Sequence, residues 1–318
     1  MAAIDPANSG RLSTFTGQPD LNPFAGVDFN ELERSLRRPR TLTNIILTWL
    51  VSGMTLVALV PLFSVIWMLL LRGGRKLSLA IFTQLPPAPL EQGGGFGNAI
   101  LGTFIIVVLA GLISVPLGIL SALFMAQSKE GDRLASAVRF SAKVLTGFPS
   151  ILAGVFAYGV VVLASGGFSA IAGAVAVSIL MLPTIMLTAE DAIRMVPAKM
   201  KEAAIGMGAT KTQTATMVLL PTAFPGILTG IMLAVARAAG ETAPLLFTSL
   251  FSSYWPSSGH HLNLMQPTAS LAVLIYNFAG MPFQNQVEMA WAAALVMVLM
   301  VLITNLIGQS LSRRQVQS

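Results

Sequence analysis

The sequence predicts an all-α membrane protein with six transmembrane helices, and three observations carry that expectation. Apolar residues make up 54% of the chain, charged residues only 10%, and mean hydropathy is +0.76, whereas an average soluble domain has roughly 25% charged residues. Six apolar runs are long enough to cross a hydrocarbon core of roughly 30 Å at about 1.5 Å per helical residue. Basic residues gather at the ends of these runs, a distribution that sets membrane topology and does not build a nucleic-acid surface.

Residues 1–40 are polar and rich in Pro, Gly, Asn and Asp, without the basic-then-apolar pattern of a cleavable leader. They predict a flexible cytoplasmic tail. Within it, Asp28 can cap a short amphipathic helix through Phe29, Leu32 and Leu36, suited to a membrane surface, with an unstructured tail the equal alternative. The membrane domain then occupies 41–318, with spans expected at 43–71, 98–126, 141–164, 168–189, 222–250 and 287–311. Prolines 116 and 149 fall inside the second and third runs and predict kinks of packing rather than chemistry. The shorter run 269–278, between Pro267 and Pro282, predicts a re-entrant or surface helix, and would raise the count to seven only if it crossed.

Charge placement sets the parity. Arg34, Arg37, Arg38 and Arg40 precede the first span, and Lys129, Arg133, Arg139 and Lys143 follow the second. Arg194, Lys199, Lys201 and Lys211 follow the fourth, and Arg313 and Arg314 follow the last. Both termini are therefore expected in the cytoplasm, and the loop 251–285, which has no Lys or Arg, outside. Arg72, Arg75 and Lys76 run against this rule on the outer side.

Two segments suggest chemistry. In the cytoplasmic loop 190–221, Pro197 opens a helix on which Met200, Ala203, Ala204 and Met207 fall at i, i+3, i+4 and i+7. Gly208 is placed to end that helix in the left-handed conformation, and Thr210 with Gln213 forms a capping box that starts a second helix, expected to stop at Leu220 before Pro221. A face of small and flexible side chains suits a groove on a partner, or packing on the protein's own helices. In the fifth run, Arg237 and Glu241 lie in an apolar stretch where a central charge costs roughly 2.5–3.5 kcal/mol unless paired or solvated. They sit four apart and can pair, and Pro244 should displace the carbonyl of Gly240 and kink the helix beside them. Arg237, Glu241 and Thr242 are thus candidate pathway residues, with Gly240 and Pro244 as the kink.

Other chemistries are excluded. Gly93-Gly94-Gly95 lacks the Lys-Ser/Thr of a P-loop and predicts a turn, and the run 206–212 has the wrong spacing to bind nucleotide. His260 and His261 stand outside any HExxH pattern, no Gly-x-Ser-x-Gly elbow occurs, and the chain has no cysteine. No metal site is expected.

Glu202-Ala203-Ala204, Gly208, Val218 and Leu220-Pro221 together resemble the EAA loop of ABC importer permeases, with Val218 where Ile is usual. Further matches are Gly94-Gly95-Phe96-Gly97-Asn98, Gly147-Phe148-Pro149-Ser150-Ile151 and Ala236-Arg237-Ala238-Ala239-Gly240-Glu241-Thr242-Ala243-Pro244-Leu245. The last run narrows the likeness to the PstA-type permeases of phosphate importers, over the chain beyond its first 40 residues. The resemblance implies a type I ABC importer permease in the cell inner membrane, not an enzyme, forming half of a pore for inorganic phosphate. It implies a PstC-type permease as heterodimer partner, two PstB-type ATPases that hold ATP and Mg, an extracytoplasmic phosphate-binding protein, and no cofactor in this chain. Glu202, Ala203, Ala204, Gly208, Met200 and Met207 are then the ATPase-coupling residues. A permease for molybdate or sulfate, or a proton-coupled secondary carrier using Glu241, are the alternatives.

Overall fold

A computed structural model describes residues 39–129, 131–258 and 261–316; the expected surface helix at 28–38 lies outside them. The chain divides into two units, one ending at Phe63 and one beginning at Ser64. The first contains most of α1 (Pro39–Met68), which continues into a widened turn, Leu69–Gly73. The second contains α2 (Ala80–Thr83), α3 (Gly97–Gln127), α4 (Arg133–Thr146), α5 (Ser150–Ser165), α6 (Ala170–Arg194), α7 (Ala198–Gly206), α8 (Lys211–Ala239), α9 (Ala243–Leu246), a hairpin β1 (Ser257–Ser258) and β2 (His261–Leu262), α10 (Leu271–Ala279) and α11 (Gln284–Val316). Five helices are long and apolar enough to cross a membrane, and a sixth crossing exists if α4 and α5, bent by 105°, are taken as one broken span.

That bend corrects the expected single span 141–164. Proline disfavours helical backbone in the residue before it, so the chain leaves α4 at Gly147 and restarts at Ser150 with Pro149 in the extended cap position. Pro149 is thus a helix start, whereas α3 runs unbroken through Pro116. Asp132 begins α4 by accepting from the backbone N–H groups of Leu134 (2.9 Å) and Ala135, which makes α4 an independently capped helix.

The core forms around α6, whose Ala172, Ala176, Val177, Met181, Ile185 and Ala189 are buried. Small residues let its neighbours approach closely. Gly118 of α3 lies against Ile185, and Gly226 and Gly230 of α8, one helical turn apart, lie against Ala192 and Thr188. Where lipid is as apolar as the side chains, such close backbone packing supplies the association energy.

Side chains of α3 and α11 tie down the connections that flank them. Gly93 and Gly94 take left-handed backbone (φ +84° and +82°), forming the expected turn before α3. Asn98 donates to the carbonyls of Ser252 (2.9 Å) and Tyr254 (3.2 Å), and Thr103 Oγ1 accepts from Leu271 N–H (2.8 Å). Helix α10 packs its Leu271, Leu274 and Phe278 into the core. One face of α10 is therefore buried in protein, while Tyr276 on the other is exposed. Two of the three basic residues expected on the outer side have partners: Lys76 Nζ meets Glu288 Oε2 at 2.8 Å and the Arg72 guanidinium stands 5.3 Å over the Trp291 ring. Local pairing offsets their departure from the topology rule.

Candidate functional site

Helix α8 begins in the loop predicted to couple and ends at the predicted charged pair. The expected stop at Pro221 does not occur: Lys211–Ala239 is one 29-residue helix. A widened turn at Thr214–Leu219, closed by Leu220 N–H on Ala215 O, lies directly ahead of Pro221. The i→i+5 register leaves room for the proline ring and absorbs its missing donor.

At the far end the expected kinked span 222–250 is broken instead. Gly240 closes α8, its N–H on Arg237 O at 3.0 Å, and Pro244 sits in the first turn of α9, where its absent N–H leaves nothing unpaired. The opened backbone is held within protein. Pro244 lies against Gly154 of α5, Thr248 O accepts from Ser169 N–H (3.0 Å), and Ser249 O accepts from Thr268 N–H (3.0 Å). In this break Arg237 Nε meets Glu241 Oε1 at 3.3 Å, with side-chain exposures of 40% and 13%. Among the described residues the Thr242 hydroxyl has no hydrogen-bond partner, while its carbonyl accepts from Leu245 N–H (3.1 Å). The structure therefore brings Arg237, Glu241 and Thr242 together, with Gly240 and Pro244 as the two sides of the break. The long, single contact leaves the arginine's terminal nitrogens free for an anion.

The coupling loop folds as its sequence dictates at both turns. Gly208 adopts φ +87°; its N–H bonds Ile205 O (2.9 Å) and Ala209 N–H bonds Ala204 O (3.0 Å), a complete Schellman motif. Thr210 Oγ1 accepts from Gln213 N–H and Thr210 N–H donates to Gln213 Oε1 at 2.8 Å, the reciprocal capping box. The predicted single face divides, however. Met200, Glu202, Ala203 and Met207 are exposed, Met207 by 83%, but Ala204 is buried (3%) because α7 folds back on the turn Thr214–Leu219. Ala204 holds α7 to α8, and Met200, Ala203 and Met207 stay exposed.

Sequence reasoning treated Arg139 and Arg194 only as topology charges and passed over Glu190. In the structure, the Glu190 carboxylate, 4% exposed, takes Arg139 Nη2 and Nε (3.0 Å to Oε1) and Arg194 Nε (2.9 Å). Both arginines also donate to Met125 O at the end of α3, so one carboxylate joins α3, α4 and α6. The i, i+4 spacing of Glu190 and Arg194 was the available signal. Removing the acid from such a group leaves two guanidinium groups uncompensated, at about 3 kcal/mol. Glu190→Ala should therefore lower the thermal midpoint of the purified complex, while Asp191→Ala on the exposed side of the same turn leaves it unchanged; equal midpoints would refute the role of Glu190.

The chain is similar to several known proteins. Residues 114–317 match the family described as binding-protein-dependent transport system inner membrane component. Phosphate transport system permease protein PstA of Yersinia pestis is 39% identical over 78% of this chain and 83% of its own length. The PstA protein of Haemophilus influenzae is 38% identical over 81% and 90%, and a probable PstA of Methanocaldococcus jannaschii 35% identical over 83% and 91%. Similar folds occur in a bacterial alginate ABC transporter (TM-score 0.61, 17% identity, 86% of this chain and 96% of that one) and in the MetNI methionine ABC transporter (TM-score 0.54, 20% identity, 69% and 93%). With a family match over more than half its length and relatives 35–39% identical over about four-fifths of it, the chain belongs to the binding-protein-dependent inner-membrane transport permeases, in their PstA group.

Proposed function

We infer that this chain is the PstA-type permease of an ATP-driven importer of inorganic phosphate, forming half of the translocation pore. The observation that carries this reading is the continuity of α8, one helix from the capping box at Thr210 to the Arg237–Glu241 break. At about 1.5 Å per residue it is a rod of roughly 40 Å, so displacement of α7 reaches the charged pair without passing through a flexible joint. The names of the relatives support phosphate as substrate, and the arginine fork suits its oxygens. Transport, not catalysis, is the chain's part. ATP and Mg are held by two PstB-type ATPases docked on Met200, Ala203 and Met207, a PstC-type permease completes the pore, and an extracytoplasmic binding protein delivers the anion. Both termini lie in the cytoplasm.

Reconstitution of the permease pair with ATPase and binding protein tests this. ATP hydrolysis should rise with phosphate and not with molybdate or sulfate. Stimulation by another oxyanion alone would move the substrate, and uptake without any ATPase would make the chain a secondary carrier.

A further inference from the structure

Between α8 and α11 runs a half-open cleft of about 440 Å³ lined by Thr229, Met232, Leu233 and Ala236 on one helix and Asn305, Gly308, Gln309 and Ser312 on the other. Gly308 lets the helices close together on Met232, and the cleft opens beside this contact. A second cavity of about 260 Å³ shares Met232, Ala236 and Asn305 and continues upward past Val235 and Ala239. The two helices run antiparallel. Ser312 and Thr229 therefore stand nearer the α7 end, Asn305 stands beside Ala236, and Arg237 follows at the next residue.

The polar side chains on this track are all neutral. Among the described residues, Asn305, Gln309 and Ser312 make no hydrogen bond, although Asn305 and Gln309 fall within the apolar span 284–310. An amide without a partner is costly in hydrocarbon, so the cleft must be wetted or filled by polar groups. Carboxamide N–H₂ and hydroxyl groups can hydrate or donate to an oxyanion, but carry no charge that would hold it. Among the described residues no carboxylate lines the cleft to oppose an anion.

We propose that the α8–α11 cleft is the inner exit of the translocation path, a water-filled half-channel in which Asn305, Gln309, Ser312 and Thr229 receive the oxyanion released from Arg237. This rests on the permease reading above and extends it from the charged pair to the α7 side.

The natural absence of cysteine makes the test direct. Asn305→Cys and Gln309→Cys are placed singly in the assembled complex, with Leu302→Cys, on the exposed apolar side of α11, as reference. Inside-out vesicles are treated with a membrane-impermeant anionic methanethiosulfonate, whose sulfur is attacked by a hydrated thiolate to form a mixed disulfide with release of methanesulfinate. Both cleft cysteines should react roughly tenfold or more faster than the reference, and modification at 305 should abolish phosphate-stimulated ATP hydrolysis. Rates equal to the reference, in a complex still stimulated by phosphate, would overturn the exit and show a dry helix interface while leaving the permease reading intact. Fast labelling in a complex that phosphate does not stimulate would leave the exit standing and remove phosphate as its cargo. Gln309, exposed on α11, gives the same readout if the variant at 305 does not assemble.

Discussion

Gly208→Val should uncouple ATP hydrolysis from transport, reducing phosphate uptake by more than about tenfold while the permease pair still assembles. Gly208 sits at φ +87° with no atom close to where a Cβ would stand, so conformation and not space reserves the position for glycine. A β-branched residue there costs about 1–2 kcal/mol or more. The chain can avoid that cost only by releasing the two bonds that end α7, from Gly208 to Ile205 and from Ala209 to Ala204. Ala204 is the buried contact between α7 and α8, so loosening it detaches the exposed methionines from the rod they are meant to move. The control lies two residues earlier. Gly206 is helical with open space around it, and Gly206→Ala should preserve coupling and favour the helix by up to about 1 kcal/mol. The measurements are phosphate-stimulated ATP hydrolysis and uptake in the reconstituted complex; equal behaviour of the two variants would show that the geometry of this turn does not matter.

Arg237→Gln should lower phosphate uptake by about 10- to 100-fold, the factor that corresponds to losing one charge-assisted hydrogen bond of roughly 1.5–3 kcal/mol. Arg237→Lys, which keeps the charge but not the planar fork, should fall between. Glu241 distinguishes the anion role from a merely structural pair. If the pair serves only to neutralise two charges, replacing both at once as Arg237→Gln/Glu241→Gln should restore uptake, since the uncompensated carboxylate is gone. If Arg237 touches the passing anion, the double variant stays as slow as Arg237→Gln. Glu241→Gln alone should then bind anion longer and turn over more slowly, because the carboxylate that competes for Arg237 is missing. Normal uptake by Arg237→Gln in an assembled complex would remove the anion role altogether.

The parts of this protein governed by local chemistry were readable from its sequence. Gly208 ended its helix and the Thr210–Gln213 box opened the next because cap geometry depends on three or four consecutive residues. The apolar runs marked the helices because hydrocarbon admits no unpaired backbone, and Arg237 and Glu241 stood out because charge there is expensive. Prolines were read less well, since their effect depends on the register around them. Pro221 passes inside a continuous helix because a widened turn precedes it, Pro149 and Pro244 begin helices, and Pro116 interrupts nothing. Contacts across distant sequence were not readable at all: Glu190 reaching Arg139, Ala204 turning inward, Lys76 reaching Glu288, and Asn305 meeting the α8 face. The sequence by itself determined solvent, the apolar stretches and the positions of the two unusual segments, because solvation and capping are short-range. Only the tertiary structure decided that these segments are the two ends of one rigid helix, because that depends on how α8 packs its glycines along α6 and on what α5 and α9 leave room for.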